Sequence, residues 1–178
     1  MYCGTNKTAC ASQLRLSEAL FRLLEQKAFS AISVSELCRE ADVSRQTFYS
    51  LFDSKESVVT YTLLARCCYT PETEGGEGCG TLQQMCQAYG RYLRQHADFI
   101  RTLVENDITY LMYDSFFDSL MDCGCFLAEK PPEVRGYAAD FMAGGFTSIA
   151  RSFIRTGANT DAALLDEIIC ALFRGSFF

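Results

Sequence analysis

The sequence predicts an all-α fold of about nine helices. Apolar residues recur at helical spacing along most of the chain, and the period-two alternation of a strand is not sustained anywhere. Proline occurs only at Pro71, Pro131 and Pro132, so three long segments are free of the strongest helix breaker. With 178 residues, 49% of them hydrophobic, the chain is long enough to bury a core in one or two domains.

The first segment predicts an amphipathic helix followed by a short one. Apolar residues repeat at helical spacing from Leu14, and this pattern ends near Lys27. Ser33, with Glu36 three residues later, fits a capping box, in which each side chain bonds the other residue's backbone amide. We therefore expect a helix from residue 34 to about Ala41.

A tight turn then leads into a second short helix. Asp42 is one of the few non-glycine residue types that tolerate a positive φ. Ser44 is a good N-cap for a helix from Arg45 to about Phe52. Two short helices joined in this way predict a helix-turn-helix. The residues expected to face its interior are Leu37, Ala41, Val43, Phe48 and Phe52.

The rest of the chain predicts a linker and six more helices. One is expected to start near Lys55, and the glycines and acids of 72–80 predict a linker or long loop. Thr81 with Gln84 fits another capping box. Pro131 and Pro132 suit the first turn of the helix expected at about 131–156, and Gly157 suits the end of that helix. The further helices are expected at about 81–95, 97–106, 108–129, 131–156 and 160–174.

The second helix of the helix-turn-helix carries a polar surface. If Phe48 and Phe52 are buried, helical geometry turns the polar residues of this helix outward. They are Arg45, Gln46, Thr47, Tyr49 and Ser50. Arginine can bond guanine and glutamine can bond adenine in the major groove, while hydroxyl groups suit phosphate oxygens. Lys55, at the start of the next helix, is placed to hold a backbone phosphate.

Residues 29–56 read Phe-x-x-Ile-Ser-Val-x-Glu-Leu-x-x-x-Ala-x-Val-Ser-x-x-Thr-Phe-Tyr-x-x-Phe-x-Ser-Lys-Glu. This stretch resembles the DNA-binding domain of the TetR family of bacterial repressors, and the likeness extends over residues 14–64. The resemblance implies a homodimer on a double-stranded DNA operator, with a DNA-binding domain at 8–54 and an effector-binding and dimerisation domain at 55–178. It implies base contacts by Arg45, Gln46, Thr47 and Ser50. It implies phosphate contacts by Ser33, Ser44, Tyr49 and Lys55.

Three positions depart from the family pattern. Ala28 and Asp42 stand where glycine is usual, and both are small or compatible with a turn. Leu51 stands where a histidine or an aromatic residue is usual, which removes a phosphate donor. We expect these changes to affect DNA affinity rather than the fold.

The C-terminal segment from Phe141 to Ile169 is similar to the TetR subgroup of dihydroxyacetone-kinase-type regulators. Its last two helices carry apolar stripes that are expected to pair with a second copy in a four-helix interface. The interface residues are expected to be Phe141, Gly145, Ile149, Phe153, Leu165, Ile168, Ile169 and Leu172. The middle helices are rich in aromatic residues and methionine, which suits a pocket for an apolar or aromatic effector. The pocket residues are expected to be Phe99, Leu103, Tyr110, Tyr113, Phe117 and Met121.

Charge excludes a protein that coats nucleic acid nonspecifically. The 16 basic and 22 acidic residues give a net charge of −6, and residues 1–60 carry seven of each sign. Any DNA contact must therefore be local. No segment stays apolar over the roughly 18 residues of a spanning helix, and the N-terminus lacks an apolar signal region. We expect a cytoplasmic protein without membrane contact.

Ten cysteines leave one alternative open. They lack C-x-x-C spacing and a secreted-domain framework, so most are expected to be small buried hydrophobes. Cys67-Cys68 and Cys123-Gly-Cys125 still allow a thiol- or metal-responsive regulator on the same scaffold. An enzyme is not expected, because the common catalytic motifs are absent and His96 is the single histidine. No metal site and no cofactor are assigned.

Overall fold

A computed structural model describes residues 4–66, 82–124 and 126–174 of the chain. Within these ranges the chain forms nine α-helices and one 3₁₀ turn at Phe29–Ala31, without strands. The all-α prediction is therefore confirmed. The helices are α1 (Lys7–Leu24), α2 (Val34–Glu40), α3 (Arg45–Leu51), α4 (Lys55–Arg66), α5 (Leu82–Gln95), α6 (Ala97–Glu105), α7 (Tyr110–Asp122), α8 (Pro132–Arg155) and α9 (Ala162–Arg174).

Two helix ends differ from the sequence prediction. Helix α1 begins seven residues earlier than Leu14, because the Asn6 side chain accepts the amides of Thr8 and Ala9 and so caps the helix. Helix α7 ends at Asp122 rather than near residue 129. The predicted linker at 72–80 and the predicted cap at Thr81 lie outside the described residues.

The early end of α7 is stabilised by a side chain from another helix. The Arg135 guanidinium, on α8, donates from Nη2 to the Met121 carbonyl at 3.1 Å and from Nε to the Phe126 carbonyl at 3.0 Å. A cation that bonds the last carbonyls of a helix also interacts favourably with the negative end of the helix dipole. Periodicity within α7 carries no signal of this contact.

Three helices end in the same left-handed turn. Asp42, Asp107 and Gly157 have φ of 51°, 56° and 80°, and they follow α2, α6 and α8. After α2, the Val43 amide bonds the Cys38 carbonyl at 2.9 Å, as in a Schellman motif. The expected positive φ at Asp42 and the expected stop at Gly157 are both observed.

Helices α1 to α3 pack around buried apolar residues that belong to one core shared with the later helices, and α4 connects them to the rest of the chain. The five residues expected to face inward are all buried: Leu37, Ala41, Val43, Phe48 and Phe52. Helix α4 packs against α1 on one side and α7 on the other. Helix α8 packs on α6 and α7, and α9 packs on α5. Within the described ranges, none of the helices combines the length and apolar character needed to cross a bilayer.

A small set of contacts joins the N-terminal helices to α6. The Phe29 amide donates to Asn106 Oδ1 at 3.0 Å, and the rings of Phe21 and Phe99 lie 4.9 Å apart. The Arg66 guanidinium lies 4.5 Å from the centre of the Phe99 ring, a cation–π distance. The position of α4 is therefore coupled to that of α6.

His96 lies at the same junction, between α5 and α6. Its ring packs 5.0 Å from Tyr92 and bonds the Arg66 backbone, while its Nε2 is buried without a hydrogen-bond partner in the described residues. Burial lowers the pKa of His96, and the Arg66 charge lowers it further. The neutral imidazole is thus the form that the folded protein favours.

We expect the wild-type protein to lose stability as the pH falls from about 8 to about 5.5. The folded-state pKa of His96 is depressed, so the unfolded chain binds a proton first and stability falls through the ordinary histidine range. His96→Asn keeps a nitrogen donor near the Arg66 carbonyl but does not titrate, so its stability should change less over this range. The free energy of unfolding of both proteins is measured at each pH by urea titration, with the loss of helical circular dichroism as the signal. An equal pH dependence in the two proteins would contradict this role.

Candidate nucleic-acid interface

Helix α3 is fixed by a polar cap at one end and by aromatic packing along one side. Ser44 Oγ accepts the Thr47 amide at 3.0 Å, and the two hydroxyl groups lie 2.8 Å apart. Phe48 and Phe52 are both buried, with their rings 6.0 Å apart, and Phe52 also meets Tyr61 of α4 at 5.6 Å. These contacts leave α3 a single orientation relative to α2 and α4.

The opposite side of α3 is exposed. Arg45, Gln46, Tyr49 and Ser50 are all exposed there, and 54% of the Tyr49 surface remains accessible. Thr47 is half-buried, and its hydroxyl is hydrogen-bonded to that of Ser44. Ser50 Oγ donates to the Thr47 carbonyl at 2.7 Å, so its hydroxyl can still accept a bond. The structure thus brings the polar residues predicted for α3 together on one face.

Two cations of the N-terminal domain are paired with acids. Arg22 meets Glu40 at 3.1 Å, and Lys27 meets Glu36 at 2.6 Å. The hydrogen bond from Lys27 lowers the pKa of Glu36. No hydrogen bond or ion pair holds Arg45 to the rest of the described chain, so its guanidinium is available to a ligand.

Ser33 caps α2 as the sequence predicts. Its Oγ accepts the Glu36 amide at 3.2 Å, and the Glu36 carboxylate accepts the Ser33 amide in return. This is the reciprocal capping box expected from the spacing. The Ser33 hydroxyl lies at an exposed position, so it can also donate to a phosphate oxygen.

Residues 16–62 match the family model described as bacterial regulatory proteins, tetR family. The N-terminal domain belongs to the TetR family. A 38-residue segment is 55% identical to the HTH-type transcriptional regulator EthR of Mycolicibacterium smegmatis, and it covers 21% of this chain. That match spans only 18% of EthR itself.

Two solved structures share the fold over most of the chain. Lin0861 from Listeria innocua superposes with a TM-score of 0.80 at 19% identity, over 98% of this chain and 95% of its own. The dihydroxyacetone kinase operon activator DhaS superposes with a TM-score of 0.51 at 18% identity, over 93% of this chain and 95% of its own. At such identities these likenesses show the fold alone. The likeness extends beyond the segment matched to the TetR family, so the C-terminal helices adopt an arrangement that is also found in other proteins.

Lys55, which follows α3 in the TetR-type domain, is engaged by the fold itself. Its Nζ donates to the Phe29 carbonyl at 2.6 Å and to the Ile32 carbonyl at 2.9 Å. The same ammonium lies 4.3 Å from the centre of the Phe29 ring. Two of the three N–H donors of this ammonium are used in this way, so one donor is left for a phosphate contact. The sequence pattern did not reveal this structural role, because the acceptors lie 23 and 26 residues away.

The six residues predicted for an effector pocket are not all together. Phe99 and Leu103 are buried in the core, and Phe99 packs on Phe21 of the TetR-type domain. Tyr110 is half exposed, whereas the rings of Tyr113 and Phe117 stack 6.4 Å apart. Met121 is half-buried near the end of α7. A hydrogen bond to Asp140 raises the pKa of Tyr113.

The predicted dimer residues divide into two groups. Phe153, Leu165 and Ile169 are buried within the single chain, so they have no surface left for a partner, and the structure corrects the prediction for these three. Gly145 lies against the Phe173 ring, and Ile149 and Ile168 are half-buried. Phe141 and Leu172 remain exposed, at 66% and 37%.

Sequence reasoning missed three exposed apolar residues on the same two helices. They are Val134, Tyr137 and Leu164, and Tyr137 is 79% exposed. Val134, Tyr137 and Phe141 follow helical spacing along α8, so a search for a second apolar stripe on α8 would have found them.

The described residues do not include both members of either cysteine pair on which the thiol- or metal-responsive alternative rests. Cys67, Cys68 and Cys125 lie outside the described residues, and Cys123 is half-buried just after α7. That alternative stays a prediction.

We expect Lys55→Met to lower the free energy of unfolding by about 1–3 kcal/mol, because it leaves the Phe29 and Ile32 carbonyls without their donor. Arg45→Met also removes one positive charge, from the exposed face of α3, and should change the free energy of unfolding by less than about 0.5 kcal/mol. Urea unfolding of both variants measures the difference. Equal stability of the two variants would show that the Lys55 contacts do not support the fold.

Proposed function

We propose that this protein is a homodimeric transcriptional regulator that binds a palindromic DNA operator, represses transcription there, and leaves the operator when a small-molecule effector binds. In this proposal residues 8–54 read DNA, and residues 55–178 bind the effector and the second copy. The observation that carries it is the exposed polar face of α3 opposite two buried phenylalanines, within a TetR-family domain.

The chemistry of α3 fits the major groove of B-form DNA. Arg45 can donate two bonds to guanine, Gln46 can bond adenine, and the Thr47 methyl can meet a thymine methyl. Ser33, Ser44 and Tyr49 offer hydroxyl groups to phosphate oxygens, and Ser50, whose hydroxyl can still accept a bond, is assigned to a base contact. The two recognition helices of a dimer would enter successive major grooves, roughly 34 Å apart.

Charge predicts that specific contacts dominate over general attraction. The net charge is −6, and two cations of the N-terminal domain, Arg22 and Lys27, are paired with acids. Each phosphate neutralised adds about −0.9 to the slope of log affinity against log salt, so we propose a shallow salt dependence.

An effector would act through the junction between α4 and α6. Arg66 of α4 packs on Phe99 of α6, and Asn106 bonds the Phe29 amide. A shift of α6 or α7 would therefore move α4, and with it the recognition helix. An effector releases DNA only if it binds the displaced arrangement more tightly than the DNA-bound one.

The DNA-binding test starts with selection of bound sequences from a random duplex pool, followed by gel shifts on the selected site. Arg45→Ala combined with Gln46→Ala should weaken that affinity by at least about 30-fold, since each base contact contributes roughly 1–3 kcal/mol. Arg101→Ala is the control, because Arg101 is a partly exposed arginine on α6 whose ion pair among the described residues is with Asp98 of the same helix. Unchanged affinity in the double variant, or no sequence selected by the wild type, would overturn the proposal.

The dimer is proposed to form through the exposed sides of α8 and α9. Tyr137 and Phe141 on α8, and Leu164 and Leu172 on α9, expose apolar surface in the single chain. Exposed apolar patches of this kind mark interaction sites, and pairing two helices with their symmetry mates closes a four-helix interface. In a two-fold symmetric dimer, these four residues of both copies would be buried in the interface.

We expect Phe141→Glu to convert the dimer to a monomer, because it places a charge where apolar surface should be buried. Leu14→Glu is the matched control, since Leu14 is similarly exposed, at 54%, but lies on α1. Sedimentation velocity at micromolar concentration reports the assembly state of each protein. If Phe141→Glu remains dimeric, the interface lies elsewhere.

A further inference from the structure

Helices α5 and α9 pack side by side and run in opposite directions. Arg94 Nη1 on α5 donates to Asp166 Oδ1 at 3.2 Å and to the Ala162 carbonyl at 3.4 Å on α9. At Gly90 the helices come so close that a Cβ atom would overlap the Asp166 carboxylate. Residue 90 is therefore opposite residue 166.

This register brings two cysteines together. One helical turn from Gly90 along α5 is Cys86, and one turn from Asp166 along α9, in the opposite chain direction, is Cys170. The two side chains are close enough that Cys170 raises the pKa of the Cys86 thiol. The pair joins positions 84 residues apart in sequence, and none of the cysteine motifs in the sequence analysis included it.

The two thiols have different surroundings. Cys86 is fully buried, and burial raises its pKa to about 12, helped by the neighbouring Cys170. Cys170 is half-buried and lines a cavity of about 420 Å³ between the two helices. Gln87 and Arg174 also line this cavity, so a small polar molecule can be bound next to the Cys170 sulfur.

We propose that Cys86 and Cys170 form a redox-active dithiol, which hydrogen peroxide oxidises to a disulfide by entering through the cavity at Cys170. The Cys170 sulfur attacks one peroxide oxygen, the O–O bond breaks, and Cys170 becomes a sulfenic acid with release of water. The Cys86 sulfur then attacks the Cys170 sulfur, and the departing hydroxide takes the Cys86 proton to leave as a second water. Two thiols have lost two electrons, and peroxide has been reduced to two waters.

The cavity stays accessible in the proposed dimer. At 100° per residue, Cys170 lies about 160° around α9 from Leu172 and about 120° from Leu164. Those two leucines belong to the exposed side assigned to the partner, whereas Cys170 faces α5. The dithiol therefore depends neither on DNA binding nor on the dimer, and a failure of either would leave it intact.

The disulfide would join α5 to α9 covalently. A cross-link between distant positions stabilises a protein largely by restricting the unfolded chain. We expect the melting temperature to rise by roughly 5–10 °C on oxidation, and to return after reduction with dithiothreitol.

The experiment treats the full-length protein with one equivalent of hydrogen peroxide, blocks free thiols with an alkylating agent, and maps the linked peptides by mass spectrometry. Cyanogen bromide cleavage at Met85 separates Cys86 from Cys67, Cys68 and Cys79, which otherwise share its tryptic peptide. The expected product joins residues 86–91 to residues 156–174. The intact mass should fall by about 2 Da, the mass of two hydrogen atoms.

Three variants separate the roles of the thiols. Cys170→Ala should abolish the linked peptide and leave Cys86 reduced, because the oxidant reaches only the cavity side. Cys86→Ala should leave Cys170 as a sulfenic acid that dimedone traps. Cys10→Ala, which changes an exposed cysteine on α1, should form the linked peptide as the wild type does.

The wild-type map decides the proposal even if a variant does not fold. A dominant link between Cys86 and Cys170 in folded protein, lost when the same oxidation is done in urea, supports it. A folded protein that forms no such link, or that links its cysteines at random as the urea-unfolded chain does, overturns it.

Discussion

The burial of Phe48 and Phe52 is the constraint from which the exposed surface of the N-terminal domain follows. Burying a phenylalanine side chain stabilises a fold by about 1.5–3 kcal/mol, and truncating one in a core costs about 3–5 kcal/mol. A solvated arginine or glutamine on the other side of a helix contributes far less to its orientation. The aromatic side therefore decides which way α3 faces, and the polar face of Arg45 and Gln46 is a consequence.

Phe29 links this domain to the helices behind it. Its amide bonds Asn106, its carbonyl accepts Lys55, and its ring lies beneath the Lys55 ammonium. One residue thus connects α6 with the start of α4. Because α4 begins directly after α3, a displacement at the end of α6 would be transmitted toward α3 through short polar contacts as well as apolar packing. The same contacts explain why a lysine at this position supports the fold.

Helix α9 presents different chemistry on its different sides. Leu165 and Ile169 are buried against the chain, whereas Leu164 and Leu172 are exposed. Cys170 faces α5, where Gly90 permits the close approach that brings Cys86 to Cys170. Within this 13-residue helix, Cys170 lies about 120° around the axis from Leu164 and about 160° from Leu172, so the thiol pair and the two exposed leucines occupy different surfaces.

The sequence by itself determined the features that depend on near neighbours in the chain. The capping box at Ser33, the left-handed turn at Asp42, the stop at Gly157 and the inward aromatic pair of α3 all arise within a few residues. Tertiary structure decided what depends on distant partners. The end of α7 depends on an arginine from α8, and the role of Lys55 depends on carbonyls more than 20 residues away. Periodicity places Phe153, Leu165 and Ile169 on apolar stripes, but only packing shows that their own chain already covers them. Side chains far apart in sequence meet only after the helices have packed, so no local pattern specifies their contacts.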